Sequence, residues 1–267
     1  MVGIIKPHVI CLPMQRYFMQ LAYVGTNYAG WQRQLNALTV QQVVVEALSK
    51  LLATPTEVVA SGRTDAGVHA TCQVAHFSIA APALPNRFVY RLNRMLPAAI
   101  SCLWVQAVVP DAHARFSAIK RGYRYRQLAC KDPFRFGQVA HAWPAPDLDL
   151  MNLAAKPLHG DHVFRSFAKQ MPDEKHYRCL LHQCQWSQEG DEQVLTIEAN
   201  RFLRGMVRAL VGGMVQVGQG NKPVEWLCQV LEANKEIASA SLAPPEGLYL
   251  IKVEYEPSIW MGERITL

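Results

Sequence analysis

The stretch "EVVASGRTDAGVHATCQVAHFSI", Glu57 to Ile79, reads as strand, turn, strand. "EVVA" is short and β-prone, and "CQVAHFSI" alternates apolar and polar residues as a half-buried strand does. The turn between them sets one acid, Asp65, between Gly62 and Gly67, close after Arg63 and before His69. Glycines on both sides permit a tight turn and let a ligand approach the main chain. Neighbouring arginines are expected to hold the carboxylate ionised, below its reference value of about 3.9. An ionised, partly desolvated carboxylate can serve as nucleophile, base or metal ligand. It can equally be a turn aspartate bonded to its own backbone, and the spacing alone leaves these readings open.

Working outward, "RYFMQLAYVG" places Tyr17, Met19, Leu21 and Tyr23 on one face of a strand. "TVQQVVVEALSKLL" is a helix that Thr39 can cap, with Gln42 placed to complete a capping box. "NRFVYRLNRML" reads as a helix with Arg87, Arg91 and Arg94 on one side and Phe88, Leu92 and Met95 on another. "SCLWVQAVV" returns as a strand. Beyond "PDAHARFSA" the alternation of strands and helices begins again. "GYRYRQLAC" sets Tyr123 and Tyr125 against Arg124 and Arg126, "LDLMNLAAKPL" reads as a helix and "QVLTIEAN" as a strand. "FLRGMVRALVGGMVQVG" and "PVEWLCQVLEAN" follow as helices, and "GLYLIKVEY" closes as a strand. No clean run of βαβ units appears, so the expectation is α+β with mostly antiparallel sheets. The boundaries expected are an extension over 1–15, a first domain over 16–112 and a second over 113–267.

The chain has 267 residues, half of them hydrophobic and 18% charged, which is a globular composition. Its 27 Lys and Arg against 21 Asp and Glu leave a net charge of +6, which favours polyanionic partners. The seven cysteines are odd in number and scattered, as free thiols in a reducing cytoplasm would be. No apolar run reaches the ~20 residues that span a bilayer. Pro7, Pro13 and Lys6 break the apolar start, so a signal peptide is not expected and the segment reads as a loose extension.

Other residues invite chemical readings. If "NRFLRGMVRALVGG" is helical, Arg201, Arg204 and Arg208 share one face. That face is either a solvated basic stripe, a set of phosphate contacts, or the partner of a buried carboxylate. Tyr123 and Tyr125 are either packing residues or, beside arginines, a surface on which bases stack. Cys179, His182 and Cys184 lack a second ligand pair, and "HGDHVF" with His159, Asp161 and His162 reads more readily as a cap and loop than as a metal site. No Walker motif and no G-x-S-x-G is present.

Taken together, these motifs resemble the tRNA pseudouridine synthase A family. "ASGRTDAGVHA" is similar to its signature loop and "YVGTNYAGWQRQ" to its N-terminal motif. "RLNRMLP", "DAHARFSAIKRGYRYR", "NRFLRGMVRALVGGM" and "EGLYLIKVEY" follow in family order, so the resemblance runs from about residue 17 to 256. It implies the pseudouridine synthase fold, two α+β domains whose sheets face a central basic cleft. It implies isomerisation of uridine to pseudouridine at tRNA positions 38, 39 and 40, in the anticodon stem-loop, without metal or other cofactor. On that likeness Asp65 is the catalytic aspartate, attacking either C1′ or the base. Tyr123 stacks on the flipped base and helps to remove the C5 proton, and Arg208 pairs with the aspartate. Arg63 helps to extrude the nucleotide, and Leu248 packs on the base. Arg33, Arg87, Arg91, Arg94, Arg201 and Arg204 are candidate contacts to the tRNA backbone. A homodimer carrying tRNA across two chains is implied, in the cytoplasm and away from membranes. Asp173 and Glu174 depart from the basic passage expected after "SF", which bears on tRNA contacts in that loop.

Three competing readings remain: a silent RNA-binding relative, a metal-dependent phosphodiesterase built on Asp65, His69 and the His159–His162 cluster, and a pseudouridine synthase acting on another RNA. Loss of Asp65, Arg63, Tyr123 or Arg208 would have favoured the first.

Overall fold

The alternation around Tyr17 becomes the first strand of a computed structural model that describes residues 14–80, 84–169, 176–233 and 242–267. In β1, Gln15–Tyr23, the side chains of Tyr17, Met19, Leu21 and Tyr23 enter the main core. Phe18 points to the opposite face, into a second apolar cluster with Val74, Val108 and Tyr255. That split is what a pleated strand buried on both faces requires. α1, Val40–Leu52, buries Val40, Val44, Ala47 and Leu48. The Gln42 backbone N–H donates to the Thr39 hydroxyl at 3.4 Å. The other half of the expected capping box does not form, because the Gln42 amide donates along the helix to Glu46 at 3.0 Å.

β2, Val59–Ala60, and β3, His69–Ile79, flank the Asp65 turn. α2 is short, Phe88–Asn93, and is preceded by Arg87 in the left-handed conformation at φ 55. Arg91 alone of the three expected arginines lies within it; Arg87 and Arg94 bracket it instead of lining one side. Phe88 and Leu92 are buried, with Met95 packed against the same core, as the spacing requires.

The remaining elements are β4 (Ile100–Val108), β5 (Ala118–Leu128), β6 (Ala140–His141), α3 (Leu148–Ala155), β7 (Gly160–Val163), β8 (Arg178–Glu189), β9 (Glu192–Ala199), α4 (Met206–Gly218), α5 (Trp226–Ala233), β10 (Leu248–Tyr255) and β11 (Trp260–Ile265). The strands of the described residues join one 11-stranded sheet, in the order β11-β4-β1-β3-β10-β5-β9-β8-β7, with β2 beside β3 and β6 beside β5. Pairing is antiparallel except at β10–β3 and β5–β6. The fold is therefore α+β with a mostly antiparallel sheet.

The insertion of β10 positions the site. This late strand lies between β3 and β5, pairing Tyr249 with His69 and Leu250 with both Ala70 and Tyr123. It brings the strand that leaves the Asp65 turn next to the tyrosine strand. The expected N-terminal extension lies outside the described residues except for Met14 and Gln15, and Asp173 and Glu174 lie outside them too. Among the described residues no helix is long and apolar enough to cross a membrane.

Candidate active site

Residues 61–64 of the turn are fixed from below by a buried polar network. Ser61 Oγ donates to Gln73 Oε1 at 2.7 Å, and the Gln73 amide donates to Gly62 O at 2.9 Å and to the Tyr23 hydroxyl at 3.5 Å. The Tyr23 and Thr64 hydroxyls share a further hydrogen bond at 2.8 Å. A fully paired buried network of this kind specifies one arrangement, because any unpaired member is costly. The turn then closes with Val68 N–H donating to Asp65 O at 3.2 Å. Gly67, at φ +78, meets the expectation that a glycine is needed there. Gly62 does not: its φ is ordinary and a Cβ would meet nothing within 4 Å.

The glycines that matter most lie in the N-terminal motif. A Cβ on Gly25 would stand 2.0 Å from Val68 O, and one on Gly30 2.6 Å from Thr64 O. The "YVGTNYAGW" segment therefore lies against the backbone of the turn, and Trp31 N–H donates to Thr64 O at 3.1 Å. His69 locks a third segment to these two. Gly25 N–H donates to His69 Nδ1 at 3.0 Å, so Nε2 carries the proton and donates to Glu246 O at 3.1 Å. Burial lowers the His69 pKa and keeps the ring neutral, and the ring stacks on Tyr249 at 4.5 Å.

Asp65 meets Arg208 across this assembly. Arg208 Nη1 donates to Asp65 Oδ2 at 3.3 Å, with the side chains 16% and 33% exposed. The arginine is itself braced, since Nε donates to Ala243 O at 2.7 Å and Ala243 N–H donates to Arg208 O at 3.0 Å. The pair joins the turn to the first turn of α4 and leaves the carboxylate accessible. Tyr123, on β5, is buried, with its ring edge-on to Phe202 at 5.2 Å. Burial pushes its hydroxyl up to about 12; the Arg121 charge pulls it down and the Asp65 charge pushes it further up. At pH 7 about one hydroxyl in 10⁵ is ionised, so Tyr123 enters the site as a phenol. Leu248 is buried opposite Tyr125 on β10. Arg63 is exposed, its Nε donating to Gln32 Oε1 at 3.1 Å.

The structure corrects the reading of the remaining arginines. α4 begins at Met206, and Gly205 before it is left-handed at φ 72, so residues 201–204 are not helical. Arg201 and Arg204 therefore share no helix face with Arg208. Arg201 is half-buried, whereas Arg204, Arg33, Arg87, Arg91 and Arg94 are exposed. The metal readings find no geometry. Cys179 and Cys184 are buried in β8 while His182 is exposed. His162 Nε2 is engaged by His159 O at 2.7 Å, and Asp161 pairs with Arg178 at 3.0 Å. That cluster sits at β7, the last strand of the sheet path, while His69 is in β3. Among the described residues no three His, Cys, Asp or Glu side chains are grouped to hold a metal ion.

Gln73, Phe202 and Arg121 stand in or beside the site without having been singled out from sequence. Phe202, inside "NRFLRGMVRALVGGM", and Arg121, inside "DAHARFSAIKRGYRYR", lie within the quoted motifs, whereas Gln73 carried no such signal.

The sequence profile of the family described as tRNA pseudouridine synthase matches residues 19–117 and 154–256. The chain is 42% identical over 251 residues to a protein of Parabacteroides distasonis named tRNA pseudouridine synthase A, covering 94% of this chain and 100% of that one. A protein of the same name from Bacteroides thetaiotaomicron is 42% identical over 253 residues, covering 94% of each chain. Another from Colwellia psychrerythraea is 40% identical over 246 residues, 90% of this chain and 93% of the relative. The matched segments contain Asp65, Arg63, Tyr123's partner strand β10 and Arg208, and this chain belongs to the tRNA pseudouridine synthase family.

Proposed function

We propose that this enzyme isomerises uridine to pseudouridine at positions 38, 39 and 40 of the tRNA anticodon stem-loop, with Asp65 as nucleophile. The observation that carries the proposal is the Arg208–Asp65 pair at 3.3 Å: an accessible carboxylate aimed by a braced guanidinium. The reaction breaks the N1–C1′ bond, turns the base, forms a C5–C1′ bond and moves one proton from C5, with N1 ending protonated. No atom is gained or lost, so no cofactor is required by the balance. A nucleophile that captures the fragment, at the sugar or at the base, keeps both parts in the site between cleavage and rejoining.

The other residues then take roles. Arg63 stands at the outer side of the turn, where it helps to hold the nucleotide out of the stem. Extrusion costs a few kcal/mol, and stacking on Tyr123 returns about 1–3 kcal/mol. As a phenol, Tyr123 serves the base by stacking and hydrogen-bond donation, and its burial opposes a role as proton acceptor. Leu248 supplies an apolar wall. The exposed arginines 33, 87, 91, 94 and 204, with half-buried Arg201, supply phosphate contacts that would read shape more than sequence. The halves on either side of residue 112 would face each other across this site as two domains. The active form is a cytoplasmic homodimer.

The test is pseudouridine formation on unmodified tRNA transcripts with uridines at positions 38 to 40, comparing wild type with Asp65→Ala in the presence of chelator. Conversion by wild type alone at those positions supports the proposal. Equal conversion by the variant removes Asp65 from the mechanism, conversion elsewhere overturns the site assignment, and loss of wild-type conversion with chelator points to a metal.

A further inference from the structure

Arg121 is an arginine whose cationic head meets only backbone. Its Nη1 donates to Ala118 O at 3.3 Å and Asn200 O at 3.1 Å; its Nη2 donates to Ser61 O at 3.0 Å and Arg115 O at 2.6 Å. Four of the five donors that a guanidinium offers are thus spent on carbonyls from four different places. Ser61 opens the Asp65 turn. Asn200 opens the segment that carries Phe202 and leads to Arg208. Arg115 belongs to the turn before β5, and Ala118 begins β5 itself. One side chain therefore ties together the pieces that hold the acid, its arginine partner and the tyrosine.

The charge is a second observation. No carboxylate among the described residues pairs with Arg121; the groups acting on it are the phenols of Tyr123 and Tyr255, which raise its pKa, and the cations Arg115 and Arg201, which lower it. Burial, with those two cations adding to it, lowers its pKa, yet an arginine stays protonated. Shielding an unneutralised cation is costly, and a neutral donor would tie carbonyls together without that cost. Tyr123 lies two residues along the same strand, on the same face, and the Arg121 charge acts directly on its hydroxyl.

We infer that Arg121 is a positioning residue for the isomerisation: its guanidinium fixes the Asp65 turn and the 200–205 segment in register around Tyr123, and its uncompensated charge favours negative charge developing at that centre. The inference rests on the function proposed above and adds a residue to it. Arg121 touches no reacting atom, because its donors are directed at the backbone.

The experiment compares wild type, Arg121→Met and Arg121→Lys for single-turnover conversion of a tRNA transcript, for tRNA affinity, and for thermal stability. A misplacement of about 1 Å costs on the order of a hundredfold in the chemical step, and R121M is expected to lose roughly that much while binding tRNA within about threefold of wild type. R121K, which keeps the charge but not the fork, is expected to recover about tenfold of the loss at unchanged affinity. Two folded variants converting at the wild-type rate overturn the inference. So does affinity that falls as far as the rate, which makes Arg121 a tRNA-binding group, and so does R121K no faster than R121M. Should R121M fail to fold, R121K decides: slower conversion at wild-type affinity supports the inference and a wild-type rate overturns it. A wild-type sample that makes no pseudouridine sinks the functional reading itself, and the inference with it.

Discussion

Gly30 touches no reacting group, yet its replacement by alanine should slow the chemistry as much as many changes inside the site. The new Cβ would stand 2.6 Å from Thr64 O and 3.0 Å from the carbonyl carbon of Asp65. Even a close C–H···O contact needs about 3.3 Å, so the two backbones must separate by roughly 0.7 Å. The strain is not relieved by a flexible side chain, because the atoms in the way are main chain on both sides. Gly30 also sits at φ +87, where an L-residue pays about 1–2 kcal/mol. Part of that is offset by the ~0.4–1 kcal/mol that alanine takes from the unfolded chain's freedom. A net destabilisation of about 1–3 kcal/mol is expected, the range for strained backbone positions, which leaves the protein folded at 25 °C if it has ordinary stability. The displacement, however, is delivered to the residue before Asp65 and to Asp65 itself. A shift near 1 Å costs on the order of a hundredfold, so Gly30→Ala should convert tRNA between about tenfold and a hundredfold more slowly.

The assay is single-turnover pseudouridine formation with urea unfolding and tRNA affinity measured on the same preparation. Affinity should hold within about threefold, since most of the arginines proposed to contact phosphates, 87, 91, 94, 201 and 204, lie outside the two segments that Gly30 brings together. Gly62→Ala is the stability control: a Cβ there meets nothing, so its unfolding should match wild type within about 0.5 kcal/mol. Folded Gly30→Ala converting within twofold of wild type would refute the argument that the N-terminal motif holds the turn in register.

Asp65→Asn should fold within about 1 kcal/mol of wild type, since a partly exposed ion pair contributes no more than that, and should make no pseudouridine; full activity would remove the acid from the mechanism. Tyr123→Phe should bind tRNA normally and slow conversion by about tenfold for one lost hydrogen bond, with no ionisation of Tyr123 visible in the wild-type rate from pH 6 to 9. A Tyr123-dependent limb in that window, absent from the Phe variant, would restore the tyrosine as base. His76 is buried, and its pKa is lowered to about 4 by burial and then by His113 and Arg16. The unfolded chain therefore binds the extra proton first, so this group's contribution is complete above about pH 6.5 and is lost as pH falls towards 4, by up to about 3 kcal/mol. His76→Asn, which keeps an acceptor for Ala114 N–H, should flatten the loss of stability between pH 7 and pH 5; an unchanged pH profile would show that His76 does not carry it.

What could be read from the sequence depended on whether a pattern ran unbroken. β1, α1 and β5 each bury a face whose period is intact, and β10 opens with one at Leu248 and Leu250 before irregularities in its pairing carry the buried phase over to Tyr255; each was legible. β8 was not, because a bulge between Leu181 and Gln183 changes the parity of the strand: Cys179 and Leu181 are buried on one phase, Cys184 and Trp186 on the other. The arginines 201, 204 and 208 failed in the opposite way. Their spacing continues the helical period, but the left-handed Gly205 stops the helix short of the first two, and no count of spacings reveals a backbone angle. The site shows the same division. Asp65 and Arg208 stand 143 residues apart, and only the resemblance to a family joined them before the fold did. Gly25 and Gly30 were visible as letters within a motif, but the reason for them lies in the main chain of the turn they touch. Arg121 is the limiting case. Its four acceptors are peptide carbonyls, which every residue possesses, so no choice of side chain at positions 61, 115, 118 or 200 advertises the contact. A sequence names the groups that react, because they must be particular side chains; the groups that hold those side chains in place bind largely to backbone, and backbone is the same letter everywhere.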